Sequence, residues 1–148
     1  MKTIRINEDA CIACHICEVY CRLAHSPEKD LVKAYRQKKL PLSRLRIEEK
    51  RPVSFSLRCR QCEEPACLTA CLTGAIHKDP VTGRVVVDEE KCVGCWTCML
   101  VCPLGAIHQD KENHRQVKCD LCHGQDTPAC VANCPNAALL LIETGTDN

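Results

Sequence analysis

At 148 residues the chain is long enough for one ordinary domain, but four aromatic residues (Tyr20, Tyr35, Phe55 and Trp96) are too few for a conventional core of large side chains. The formal charge is +1, and no run approaches the roughly 20 apolar residues that cross a bilayer. Sixteen cysteines are left as the material that must hold the fold.

Lys2 to Ile6 alternates with period two and predicts an opening strand. It leads into a first cysteine motif, Cys11-x2-Cys14-x2-Cys17-x3-Cys21, and a short helix is expected after Cys17. No cysteine occurs from His25 to Arg58. There, Ser26-Pro27-Glu28 predicts an N-cap followed by proline at the first helical position, with a helix to about Lys39 whose Leu31, Ala34 and Tyr35 share a side. Leu45 to Ile47 and Val53 to Leu57 alternate, predicting two strands turned near Lys50-Arg51-Pro52. Residues 26–56 are therefore an insertion, too small to bury a core of their own. Lys29, Lys33, Arg36, Lys38, Lys39, Arg44 and Arg46 crowd into it and fit either a solvated face or a docking patch for an acidic enzyme surface.

The second motif is Cys59-x2-Cys62-x4-Cys67-x3-Cys71. A hairpin is expected next, its arms around Pro80-Val-Thr-Gly83. The third motif is Cys92-x2-Cys95-x2-Cys98-x3-Cys102-Pro103, followed by another hairpin around Asp110 to Asn113. The fourth is Cys119-x2-Cys122-x7-Cys130-x3-Cys134-Pro135. Ala137 to Ile142 predicts a last strand, buried at Leu139 to Ile142, and 143–148 a polar tail. The runs Cys67 to Ile76, Cys98 to Ile107 and Cys130 to Leu139 are copies of one unit: a one-turn helix ending at a small residue and leading into a strand.

The spacing C-x2-C-x2-C-x3-C-P is that of cubane iron–sulfur ligation. Two-residue gaps let three thiolates reach three corners of one cube, and the x3 step turns the fourth toward a second cube. Disulfides need an oxidising compartment, and the opening residues carry no apolar signal core. Zinc sites pair two separated knuckles, whereas these cysteines come as triplets with a fourth close behind. Iron–sulfur ligation uses this density and spacing, with a zinc-binding regulatory module as the distant alternative. Four loaded cubes at about −2 each would bring the total charge to about −7. That acidity and the scarcity of stacking residues argue against nucleic-acid binding. Without metal the chain is expected to be unfolded or molten, because ligand binding and folding share one free energy.

Cys11-Ile-Ala-Cys14-His15 and Cys119-Asp-Leu-Cys122-His123 match the haem-attachment pattern, but haem would take cysteines from complete cluster sets. Gly94 is expected to allow a tight loop with a backbone N–H aimed at sulfur. No dinucleotide-binding glycine motif is present, and nothing points to a substrate site, so no activity is expected from the chain alone.

Four motifs in this order, with a widened second and fourth, resemble the four-cluster ferredoxin-like subunits of oxidoreductase complexes, including those of the dimethyl sulfoxide reductase and formate dehydrogenase families. The stretches Leu57-Arg-Cys59-Arg-Gln-Cys62 and Cys92-Val-Gly-Cys95-Trp-Thr-Cys98 look most like the carbon monoxide dehydrogenase-associated iron–sulfur proteins. The resemblance implies an α+β fold of two bacterial-ferredoxin-like modules: an outer one of residues 1–25 plus 111–142 and an inner one of residues 57–110. It also implies four [4Fe-4S] clusters with nested ligand sets. These are Cys11, Cys14, Cys17 and Cys134; Cys119, Cys122, Cys130 and Cys21; Cys59, Cys62, Cys67 and Cys102; and Cys92, Cys95, Cys98 and Cys71. Arg22 and Leu72 replace the usual proline and leave every ligand in place. The function implied is a one-electron relay in the cytoplasm, within a hetero-oligomer. It would link a low-potential dehydrogenase such as carbon monoxide dehydrogenase to a flavin–nicotinamide oxidoreductase or hydrogenase, or serve a tungsten or molybdenum aldehyde or formate oxidoreductase.

Overall fold

The computed structural model describes residues 2–37, 40–50 and 52–143. Expectations at Lys38, Lys39, Arg51 and residues 144–148 lie outside the described residues. The strands pair only two by two, giving four antiparallel ribbons among the described residues.

The first ribbon joins the two ends of the chain: β1 (Lys2–Ile6) runs against β8 (Leu139–Glu143), with Ile6 opposite Leu139. A lone ribbon has one covered face, so alternation rules it. Ile4 and Leu139 are buried, whereas Leu140 is 44% exposed. The expectation of burial throughout Leu139 to Ile142 is corrected on that ground.

The helix α1 (Ile16–Ala24) begins before Cys17 rather than after it and buries both Cys17 and Cys21. Residues four apart share a helical face, so the x3 spacing aims both thiols inward. The other three motif helices, α3 (Ala66–Thr69), α4 (Thr97–Leu100) and α5 (Ala129–Ala132), each bury the third cysteine of their motif. Pro103 and Pro135 bar continuation of α4 and α5, whereas α3 stops at Thr69 although Leu72 stands in the proline's place, and α1 runs on through Arg22.

In the insertion, α2 (Leu31–Arg36) starts later than expected. Asp30 is its cap, accepting from the Lys33 N–H at 2.8 Å. Ser26 is instead buried in the preceding turn, where its hydroxyl accepts from the Glu28 N–H and its carbonyl from Lys29 Nζ. Only Ala34 of this helix is buried; Leu31 and Tyr35 stay about two-fifths exposed. The strands β2 (Leu45–Lys50) and β3 (Val53–Arg58) form the second ribbon. Here β2 turns Leu45 and Ile47 into the core, while Val53 and Phe55 of β3 face outward. The ribbons β4 (Ile76–Lys78) with β5 (Val85–Val87), and β6 (Ile107–Asp110) with β7 (Arg115–Lys118), complete the fold.

Two apolar clusters result. One joins Ile4, Leu45, Ile47, Leu121 and Leu139 to Cys17, Cys21, Cys119 and Cys130. The other joins Ile76, Val85 and Ile107 to Cys67 and Cys98. Thiols are thus a large share of each core, and what binds them will decide how firmly the core holds.

Candidate metal centres

The loops bring the cysteines together in sets. One cavity, about 370 Å³ with its mouth, is lined by Cys11, Cys14, Cys17 and Cys134. A second of about 410 Å³ is lined by Cys59, Cys62, Cys67 and Cys102. A third of about 330 Å³ is lined by Cys71, Cys92, Cys95 and Cys98. Each takes three cysteines from one motif and the last cysteine of another, and their similar size suits one repeated occupant. The remaining four, Cys21, Cys119, Cys122 and Cys130, are all buried and act on one another electrostatically. The sets adjoin: Cys17, Cys119 and Cys130 share one apolar cluster with Cys59 packed against it, and Cys67 and Cys98 share the other, which runs the sets in a row.

A backbone turn common to the motifs makes these loops. The residue before the second cysteine has positive φ in every motif: Ala13 (52°), Gln61 (57°), Gly94 (67°) and Leu121 (57°). Left-handed backbone reverses the chain sharply and turns successive N–H groups to one side. At Gly94 the backbone also packs so closely that an added Cβ would lie 2.2 Å from the His114 carbonyl oxygen.

The donor set fits an anionic iron–sulfur group. Backbone N–H groups point at sulfur from Arg44 to Cys21 (3.2 Å), Ala138 to Cys134 (3.2 Å) and Gln61 to Cys59 (3.5 Å). Burial pushes the thiols of Cys17 and Cys119 up to about 12 and that of Cys98 to about 11, and raises Cys67, Cys122 and Cys130 as well. Such thiols do not ionise unaided, so a metal must supply the positive charge that makes them ligands. At Cys71 burial acts in the same direction but is outweighed by N–H donors from Ile76, Thr73 and Ala75; at Cys95 the Thr97 N–H and hydroxyl hold the thiol down. Gln116 adds a sharper sign. It is buried on the wall of the Cys71 cavity, and neither end of its amide has a hydrogen-bond partner among the described residues. A buried amide left unsatisfied there is a donor suited to an acceptor inside the cavity.

Around Cys21 and Cys122 a polar brace holds the loop. Asp120 accepts from His25 Nε2 (3.1 Å) and Arg44 (2.7 Å), while its Oδ1 also accepts from the Cys122 N–H (3.0 Å). Burial opposes the charge on His25, yet its hydrogen bonds to Asp120 and Cys21 prevail and raise it to about 9. Burial likewise opposes ionisation of Asp120, but His25 and Arg44 hold its carboxyl well below the usual range. Gln61, fully buried, ties the two cores together: its Nε2 donates to the Cys119 carbonyl at 2.8 Å and its Oε1 accepts from the Val85 N–H at 2.7 Å. Sequence reading singled out none of His25, Asp120, Gln61 or Gln116. Their partners lie far along the chain, and no local pattern marks them.

The histidines of the two haem-like patterns have carboxylate partners, His15 with Glu18 and Glu49 and His123 with Asp79. The basic run of the insertion is thinner than its composition. Lys29 caps the Ala24 and Ser26 carbonyls, Arg44 braces Asp120 and Arg46 pairs with Glu48, leaving Lys33 and Arg36 exposed. No helix among the described residues is long and apolar enough to cross a membrane.

A family model described as a 4Fe-4S dicluster domain matches residues 52–144, which hold the second, third and fourth motifs. The chain is 37% identical to an iron–sulfur protein of Rhodospirillum rubrum, over 95% of its length and 81% of the relative's. It is 36% identical to the electron transport protein HydN of Escherichia coli, over 96% and 88%. Against the polyferredoxin-like subunit of an aliphatic sulfonate oxidoreductase of Pyrococcus furiosus the identity is 38%, over 96% and 78%. The active-site complex BamBC of benzoyl-coenzyme A reductase contains a chain of like fold, with TM-score 0.53 and 23% identity, covering all of this chain and 82% of that one.

Proposed function

The chain belongs to the 4Fe-4S dicluster family of ferredoxin-like electron-transfer proteins, and from that premise we propose that it relays single electrons through four [4Fe-4S] clusters. The observation that carries this reading is the grouping of cysteines around like-sized cavities, each completed by one cysteine from another motif. It extends the relay to the first motif, which lies outside the matched residues 52–144. The ligand sets are Cys11, Cys14, Cys17 and Cys134; Cys21, Cys119, Cys122 and Cys130; Cys59, Cys62, Cys67 and Cys102; and Cys71, Cys92, Cys95 and Cys98. In this reading residues 1–25 with 111–142 form an outer ferredoxin-like module, to which the insertion 26–56 lends its strand β2, and residues 57–110 form an inner one. The β6–β7 ribbon is then the covalent bridge between them.

The clusters, when bound, supply reversible one-electron chemistry at low potential. The chain's part is to fix them. Its thiolates would hold them, and the N–H groups of Arg44, Ala138 and Gln61, which point at sulfur, would stabilise the sulfur charge. Leu121 and Ala138 wall off water. The fit to carbon monoxide dehydrogenase-associated proteins around Cys59 and Cys92 favours a low-potential dehydrogenase of that kind as donor, with a flavin–nicotinamide oxidoreductase or hydrogenase as acceptor, in a cytoplasmic hetero-oligomer. The kinship with the Pyrococcus polyferredoxin-like subunit of an aliphatic sulfonate oxidoreductase supports a second reading, a small electron-transfer subunit of an oxidoreductase complex, which by the resemblance of the cysteine motifs would be a tungsten or molybdenum enzyme.

Anaerobic purification tests the cluster count. Four cubes give about sixteen irons and sixteen acid-labile sulfides per chain; about eight of each would cut the relay to two clusters, and stoichiometric zinc without a brown chromophore would overturn it. Reduction under carbon monoxide by a catalytic amount of carbon monoxide dehydrogenase separates the donors: bleaching supports the first, and its absence the second.

A further inference from the structure

The strand β7 is inverted in character: its inward residues are polar, Gln116 at 5% exposure and Lys118 at 2%. Lys118 lies where the two cores meet. Its Nζ donates to the carbonyls of Val85 and Cys119, the latter at 3.3 Å, and stands 3.8 Å from Cys59 Sγ. Its charge is also felt at Cys67. Arg58, 6% exposed, donates to the Ile4 carbonyl and interacts electrostatically with Cys59, Cys119 and Cys130. Among the described residues neither cation forms an ion pair with a carboxylate.

A buried charge without a counter-charge is expensive, and proteins keep one only where something else offsets it. Carbonyl dipoles offset part. The rest has one source within reach, the thiolates of Cys59, Cys62, Cys67 and Cys102 on one side and of Cys21, Cys119, Cys122 and Cys130 on the other. The other cations near Cys21, His25 and Arg44, have carboxylate partners, both facing Asp120 and Arg44 also facing Glu89 at 3.8 Å. At the far ends the pattern stops: no lysine or arginine lines the cavity of Cys11 or that of Cys71, whereas Arg60 lines that of Cys59, and His15 at the first is half-exposed and paired.

We propose that Lys118, seconded by Arg58, is a potential-setting residue: a positive charge at the hand-over between the two central cysteine sets, raising the potential of both above the terminal ones. The inference rests on those cysteines being cluster ligands. Added electrons make a cluster more negative, so a nearby cation favours the reduced form; net charge and hydrogen bonds at sulfur are the protein's means of tuning it. No bond would form and no proton move: with clusters bound, one electron taken from the donor would be favoured in the middle of the row before passing to the acceptor.

The test is an anaerobic redox titration followed by magnetic resonance, on wild type, Lys118→Met, Lys118→Arg and Arg58→Met, with iron and sulfide counted in each. Lys118→Met should keep its metal while the potentials of two centres fall, shifting electron occupancy toward the ends at least tenfold, 59 mV for one electron. Lys118→Arg should keep most of the wild-type pattern. A loaded Lys118→Met with unchanged potentials overturns the proposal. If Lys118→Met does not load, Arg58→Met is read in the same way, and unchanged potentials there overturn it equally. Loss of metal from both neutral variants with Lys118→Arg fully loaded supports a counter-charge; loss from Lys118→Arg as well reduces Lys118 to packing and refutes it. A wild-type chain without about sixteen irons fails the relay reading itself.

Discussion

Replacing Gly94 by alanine should loosen one cysteine loop, and Gly74 supplies the matched control. Both residues have left-handed φ, +67° and +65°, but a Cβ at Gly74 meets nothing within 4 Å, whereas at Gly94 it meets the His114 carbonyl oxygen at 2.2 Å and its carbon at 2.9 Å. The left-handed conformation costs an L-residue about 1–2 kcal/mol. Stiffening of the unfolded chain returns about 0.4–1 kcal/mol. Gly74→Ala should therefore lose roughly 1 kcal/mol. Gly94→Ala carries the same amount plus an overpacking cost of about 1–3 kcal/mol, since the obstacle is backbone and cannot rotate away. A protein of this size loses about 2–4 °C per kcal/mol. Thermal bleaching of the visible chromophore under argon, at one scan rate, should place Gly94→Ala below Gly74→Ala by at least about 2 °C. Iron loss should begin at the Cys92 set. Equal midpoints for the two variants would refute the close-approach argument.

Cys134→Ala should perturb the magnetic signal of the Cys11 set and spare those of the Cys59 and Cys92 sets; loss confined to the Cys119 set would contradict the nested assignment. Gln61→Leu leaves the Val85 N–H unpaired in the interior, at about 1–3 kcal/mol, and leaves the Cys119 carbonyl only its longer bond from Lys118, so it should lower the bleaching midpoint without altering iron content. Removing metal with a chelator under reducing conditions should collapse the far-ultraviolet dichroism, because the cores are rich in thiols; native-like dichroism in the apoprotein would show that the apolar residues suffice. Lys33→Glu with Arg36→Glu should slow reduction of the partner at low ionic strength, with the difference vanishing near 1 M salt, where the Debye length is about 3 Å. An unchanged rate at low salt would leave these residues a solvated face.

Much of the fold was legible because its signals are local. Alternation marks Lys2 to Ile6, and Thr82-Gly83 and Asp110 to Asn113 mark the turns of two ribbons. What was misread had a local competitor. Ser26-Pro27 imitates a helix start, but the carboxylate of Asp30 reaches the free N–H of Lys33 and wins. The left-handed turn recurs in all four motifs, yet only Gly94 advertises it, since Ala13, Gln61 and Leu121 adopt the same φ without glycine. Inward polar residues were the least legible. Gln61, Gln116 and Lys118 look like surface side chains until the strands and loops that turn them inward are traced.

The β1–β8 ribbon also governs when the protein can be completed. It pairs residues at the two extremes of the described chain, and Cys134 reaches the Cys11 cavity from just before β8. Loop closure over such a span is the entropically costliest contact the chain makes, and contacts of that range form late. The Cys59 and Cys92 cavities draw on nearer segments and can close while the residues after Gln116 are still emerging from the ribosome. If the proposed ligand sets hold, metal loading would follow a built-in sequence, the Cys59 and Cys92 sets first and the clasp last, and a nascent chain short of Cys134 would be a partly furnished intermediate with Cys11, Cys14 and Cys17 still waiting.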